Sequence, residues 1–139
     1  MASSPTGPGG PPPPPLPPLG STNLGIAPNV GGLLCYVPCC IGLVFSVVVA
    51  IVEKQSRFLR FHAFQSLLLH GAAIALGLVL SVLGAILGQI SSFFALLLFP
   101  IQLVVGVGLI GMTIFLMIKA YNNEEWEIPR LGPLARTWL

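Results

Sequence analysis

The chain has 139 residues, of which 55% are hydrophobic and 7% charged, with a net charge of +2. Soluble domains carry roughly 25% charged residues, so this composition excludes an ordinary water-soluble domain and points to a membrane protein. The small net charge gives no footprint for nucleic acid, and three clustered cysteines are too few to staple a secreted fold.

Residues 1–29 hold no charged side chain and are dominated by Pro and Gly, with Pro11 to Pro15 unbroken. Proline removes the donor that helices and sheets need, so an extended, disordered tail is expected. Pro12 to Pro15 satisfies PxxP, a ligand pattern for SH3- or WW-type pockets. The simpler reading is a spacer, since no Arg flanks the run to orient it. A signal peptide is not expected, because a basic start and an early apolar core are both missing.

Residues 30–52 form the first expected span, 23 residues without a charge. That is about 34 Å at helical rise, against a hydrocarbon core of about 30 Å. Pro38 lies inside it and predicts a kink, or a start of the regular helix near Pro38 itself. Cys35, Cys39 and Cys40 sit in the same segment. With no His, Asp or Glu beside them a metal set is incomplete, and they read as small buried hydrophobes. Palmitoylation is a weaker alternative.

Between Glu53 and Phe61, Lys54, Arg57 and Arg60 recur at three-residue spacing, with Phe58 and Phe61 on another side. This is the pattern of a short helix lying in the interface, its cations set to bind anionic headgroups; a plain basic loop is the alternative. Glu53 is expected to pair with Lys54 or Arg57.

The second expected span is 63–88. Ala73, Gly77, Ser81, Gly84 and Gly88 fall on one stripe, which lets a neighbouring helix approach closely. The neighbour is the chain's own first or third span, or a second copy. His62, Ser66 and His70 are four apart and share a face, with Gln65 beside them. Ionisable groups at membrane depth are functional candidates. Arg57, Arg60, His62, Gln65 and His70 are therefore the candidate site, read either as a helix-locking polar cluster or as the lining of a route for ions or protons in an oligomer.

A turn at 89–92 leads to the third expected span, 96–120, which begins near Phe93 with a kink at Pro100 or starts at Pro100 itself. Lys119, Tyr121 and Trp126 mark the membrane exit. In the tail, 121–139, Leu131, Leu134, Ala135 and Trp138 make a short amphipathic pattern expected to dock on the membrane surface. The fold expected is thus all-α, an integral membrane protein with three transmembrane helices. With all six Lys and Arg in the 53–62 loop and the tail, the positive-inside rule predicts an outside N-terminus and a cytoplasmic C-terminus. No catalytic constellation is present: no HExxH, no phosphate-cradling Gly loop, no carboxylate pair within a span. A non-enzymatic protein without metal or cofactor is expected, a component or partner of a membrane complex or a homo-oligomer.

Three stretches carry a family resemblance. They are Gly32-Leu33-Leu34-Cys35-Tyr36-Val37-Pro38, then Ser56 to Ser66 with its Phe61-His62-Ala63-Phe64-Gln65 core, and Lys119-Ala120-Tyr121 followed by Ile128 to Ala135. Over residues 30 to 138 the chain resembles small bacterial membrane proteins of an uncharacterised-domain family grouped with the chloroplast inner-envelope import component of twenty kilodaltons, the Tic type. The resemblance implies a bacterial inner membrane and a translocation-related role, with His62 and Gln65 as motif positions. The plastid relatives are four-helix channel subunits, one span more than is read here.

Overall fold

A computed structural model describes residues 22–38 and 40–139, the side chain of Ala95 excepted. The proline tail and Cys39 thus lie outside the described residues. All regular structure among the described residues is helical: α1 (Pro28–Cys35), α2 (Cys40–Val52), α3 (Arg57–Ile90), α4 (Ser92–Tyr121) and α5 (Leu131–Arg136).

The first apolar segment is not one helix. Pro28 opens α1 in the first turn, where its missing N–H costs nothing. The helix closes at Tyr36, whose N–H donates to Leu33 O at 3.0 Å while Val37 N–H donates to Leu34 O at 3.3 Å, and Pro38 follows as a residue that cannot continue the ladder. The chain then doubles back. A Cβ on Gly42 would run into the carbonyl oxygen of Val37, so only glycine lets α2 pass this close to the turn. Ser46 Oγ donates to Cys35 O at 3.2 Å. At the base of the arms, Asn23 N–H donates to Glu53 Oε2 at 2.8 Å. The N–H groups of Lys54 and Gln55 both donate to Asn23 Oδ1 at 3.2 Å. Residues 23 and 53 therefore sit side by side, and α1 and α2 are the two arms of a helical hairpin. The longer arm, α2, has 13 residues, about 20 Å, which falls short of a hydrocarbon core of about 30 Å.

The basic run is likewise not a separate interfacial helix. Ser56 caps α3 by accepting from Leu59 N–H at 3.2 Å, and Arg57 and Arg60 form its first turn. No helix breaker stands between Phe61 and Ala63, so the amphipathic and apolar runs share one ladder. Ser91 ends α3 and caps α4, accepting from Phe93 N–H at 3.3 Å. Pro100 lies inside α4, which makes the third apolar segment the longer helix, beginning at Ser92. With 34 and 30 residues, α3 and α4 are about 51 and 45 Å long. Both are long and apolar enough to cross a membrane, and α2 is a shorter apolar helix.

The core lies at one end of the α3–α4 pair. α1 packs against both long helices, whereas α2 packs on α3. Cys35, Tyr36, Val49, Leu59, Ala63, Leu69, Leu116, Ala120 and Ile128 form the buried cluster. Gly32 brings α1 so close that an added Cβ would lie 3.2 Å from Ala120 Cβ and 3.4 Å from His62 Cδ2. The C-terminal tail packs here too: Arg136 lies over the Phe61 ring at 4.9 Å, and Trp138 meets Phe64 edge-on. The far halves of α3 and α4 expose Leu78, Val79, Val82, Ile86, Val104 and Val107, as helices solvated by lipid do.

Candidate functional site

The first turns of α3 carry the candidate residues inward or outward according to helical phase. His62 and Gln65, three apart, both point into the core and are fully buried. Tyr36 OH, from the end of α1, pairs with His62 Nδ1 at 3.2 Å. Three aromatic rings, Tyr36, Phe58 and Phe61, surround the imidazole edge-on. Gln65 Nε2 donates to Trp126 O of the tail at 3.1 Å. One turn deeper, Ser66 Oγ donates to Cys35 O at 2.5 Å, the carbonyl that Ser46 also reaches. His70 Nδ1 lies 3.1 Å from Ser66 Oγ and 2.9 Å from Ser66 O.

The cluster therefore ties four pieces of chain together. Cys35 O is an orphan carbonyl at a helix end, and hydroxyls from α2 and α3 both satisfy it. Tyr36 ties α1 to α3, and Gln65 ties α3 to the tail. Among the described residues, His62 Nε2 and Gln65 Oε1 are buried without a hydrogen-bond partner. Of the sequence candidates, His62 and Gln65 sit together and His70 joins them through Ser66. Arg57 is exposed. Arg60 is half-buried and donates to Leu139 O at 3.1 Å and Trp138 O at 3.4 Å. Tyr36, Ser46 and Asn23 were not singled out by sequence reasoning. The signal for Ser46 was its polarity in an otherwise apolar run; Tyr36 stood only within the Gly32 to Pro38 stretch, and Asn23 carried none.

Glu53 departs from expectation. It is fully buried and pairs with no cation among the described residues. Besides Asn23 N–H, its carboxylate accepts the N–H groups of Gln55 and Ser56, each at 2.9 Å. The backbone turns around it because the loop between α2 and α3 has its donors aimed inward. Cys35 is buried and Cys40 exposed.

The small-residue stripe faces α4 of the same chain. An added Cβ on Gly84 would lie 3.8 Å from Leu98 Cδ1. Ala73, Gly77 and Ser81 line a cleft of about 240 Å³ against Gln102, Val105 and Gly106. Gly88 lies one turn beyond Gly84 and is exposed.

All ten charged side chains, six cationic and four anionic, belong to the 53–60 stretch, the end of α4 and the tail, and these meet at one end of the bundle. Lys119 pairs with Glu124 at 2.6 Å. Arg136 pairs with Glu127 and, at 3.2 Å, with Glu125; the hydrogen bond to Glu127 is the main cause that holds its guanidinium above the ordinary arginine value. With Glu53 occupied by backbone donors and Arg60 donating to Leu139 O, Lys54, Arg57 and Arg130 have no Asp or Glu partner among the described residues.

Residues 21–135 match the model of the magnetosome magnetite crystal formation protein family, MamF/MmsF. A UPF0132 membrane protein of Methanocaldococcus jannaschii is 30% identical over 122 residues, covering 86% of this chain and 96% of the relative. A second from the same organism is 31% identical over 118 residues, 83% of this chain and 72% of the relative. One from Archaeoglobus fulgidus is 31% identical over 109 residues, 77% and 90% of the two chains. No solved structure matches. These findings overturn the resemblance to bacterial proteins grouped with the chloroplast import component: the matching family is a different one, and these relatives are archaeal. The translocation role that rested on that resemblance falls with it. Matched along most of its length by that family model and by these UPF0132 proteins, the chain is a member of the MamF/MmsF family of membrane proteins.

Proposed function

We propose that the protein is a non-enzymatic membrane scaffold that crosses the bilayer twice and presents one cationic face to anionic headgroups. In this reading α3 and α4 cross, and α1–α2 is a re-entrant hairpin that enters and leaves on the same side. The charged end is cytoplasmic by the positive-inside rule. Because Asn23 lies beside Glu53, the N-terminal approach shares that side. The reading so replaces the outside N-terminus that three crossings would give.

The observation that carries the proposal is the division of polar groups. The buried ones join α1, α2, α3 and the tail to one another, and the cations without carboxylate partners stand at one end. Glu124, Glu125 and Glu127 are committed to Lys119 and Arg136. What remains free on this face is positive, which favours phosphate-bearing lipid over capture of iron, the metal in the mineral the family is named for. Each exposed Lys or Arg near an anionic surface contributes about 1 kcal/mol.

The test is cysteine accessibility in intact cells, on a version without the native cysteines, with Ser3→Cys, Gln55→Cys, Ser91→Cys and Thr137→Cys. Two crossings predict that Ser91→Cys alone labels from outside. Joint labelling of Ser3→Cys and Ser91→Cys restores three crossings and ends the re-entrant reading. Native mass spectrometry completes the test: phosphatidylglycerol should be retained over phosphatidylcholine, and Arg57→Glu with Arg130→Glu should abolish the preference.

A second reading, an ion or proton route past His62, Gln65 and His70, is favoured by one observation, the unpartnered Nε2 and Oε1 in the core. It predicts that His70→Leu stops proton flux in proteoliposomes while the protein still assembles. The scaffold reading predicts no flux in either protein.

A further inference from the structure

The first turns of α3 carry cations and rings together, the pattern of an interfacial surface, and the last residues of the chain lie across them. Arg136 covers the Phe61 ring at 4.9 Å. Trp138 meets the Phe64 ring at 5.9 Å between centroids. Arg60, itself over the Phe64 ring, donates to Leu139 O at 3.1 Å and to Trp138 O at 3.4 Å. With 34 residues, α3 is longer than a hydrocarbon core of about 30 Å requires, so in the scaffold reading this base stands at the level of the headgroups.

What residues 131–139 give to this face, an anionic bilayer surface also gives. To the guanidinium they offer two separate carbonyl oxygens, and Arg60 Nε is buried with no hydrogen-bond partner among the described residues. A phosphate offers a negative charge and paired oxygens that match the guanidinium fork. To Phe61 and Phe64 the acyl boundary offers hydrocarbon in place of Arg136 and Trp138. The covering segment also has a hinge. Ile128 is held in the core, and two residues later Arg130 takes a φ of 74°, a conformation that strains a residue with a Cβ. Across this hinge, Arg136 is held by Glu125 and Glu127 through half-exposed ion pairs, which are weak clasps.

We infer that residues 131–139 are a strap closed over a phospholipid-binding face made of Arg60, Phe61 and Phe64, and that anionic headgroups compete with it and lift it. This deepens the scaffold reading and rests on it. The test places the full chain in nanodiscs of phosphatidylcholine, alone or mixed with phosphatidylglycerol, and follows amide hydrogen exchange in α5. A six-residue helix has little stability of its own, so lifting should speed its exchange by about tenfold or more in phosphatidylglycerol. Arg60→Gln should remove the dependence on lipid. Trp138→Ala loosens the strap without touching the guanidinium, and should raise phosphatidylglycerol retention in native mass spectrometry by about two- to tenfold. Lowered or unchanged retention in Trp138→Ala overturns the competition. Phosphatidylglycerol retained with α5 exchange equal in both lipids overturns the strap and leaves the scaffold reading standing. Loss of the phosphatidylglycerol preference in the unmutated chain ends both.

Discussion

Glu53 holds a carboxylate in a buried place with no cation beside it, and three backbone N–H groups take the cation's role. Hydrogen bonds to a charged group contribute about 1.5–3 kcal/mol each, and orphaned buried donors cost about as much. Glu53→Ala should therefore destabilise the protein by about 3 kcal/mol or more, read as a lower melting point in detergent by tryptophan fluorescence. Glu53→Gln keeps the shape and one good acceptor and should lose less. A change under about 0.5 kcal/mol for Glu53→Ala would mean that the base of the hairpin is held by something else. Tyr36→Phe removes a single partner from His62 Nδ1 and should cost about 1–2 kcal/mol.

At the scale of elements, the hairpin α1–α2 depends on Gly42. The atoms an added Cβ would meet, Val37 O and Cys35 O, are backbone, which cannot swing aside as a side chain can. Gly42→Ala should separate the arms and speed amide hydrogen exchange in α1 relative to α3; equal exchange in the two helices would show that the turn has slack. Hydropathy made the two long helices legible: the run after His62 has length for two crossings and Gln89 to Ser92 for a turn. It could not reveal the hairpin, because an apolar run has the same composition whether it crosses the bilayer or folds back. That choice is made by room at Gly42 and by the contact between Asn23 and Glu53, thirty residues apart. The helical phase that pairs His62 with Gln65 was local and readable. Their partners, Tyr36 and the carbonyl of Trp126, come from the far ends of the chain and were not. The tail's apolar spacing was readable as well, but not that Trp138 would meet Phe64 of α3.

Over the whole molecule, charge is concentrated at one end and missing from the Ser91 end. Such asymmetry governs insertion through Lys and Arg in short loops. Neutralising the unpaired cations with Lys54→Gln, Arg57→Gln and Arg130→Gln should produce a mixed population in which a cysteine at Gln55 labels partly from outside. Neutralising the paired Lys119 and Arg136 also frees acidic partners, yet Asp and Glu contribute little to the rule, so a comparable shift in orientation is expected. An unmixed orientation in both variants would mean that the hairpin, not charge, sets the direction of insertion.

The wedging of α1 between α3 and α4 has a consequence for the order in which the molecule is made. α1 is made before both of the helices it lies between, of which the second ends at Tyr121. At a synthesis rate of about 5–20 residues per second, α1 and α2 wait on the order of ten seconds for their berth to exist. During that interval the newborn hairpin keeps the bond from Ser46 to Cys35 O, while Tyr36 OH and Cys35 O still lack His62 and Ser66 of α3, so a short apolar loop with unmet polar groups is expected to need shelter until α3 arrives.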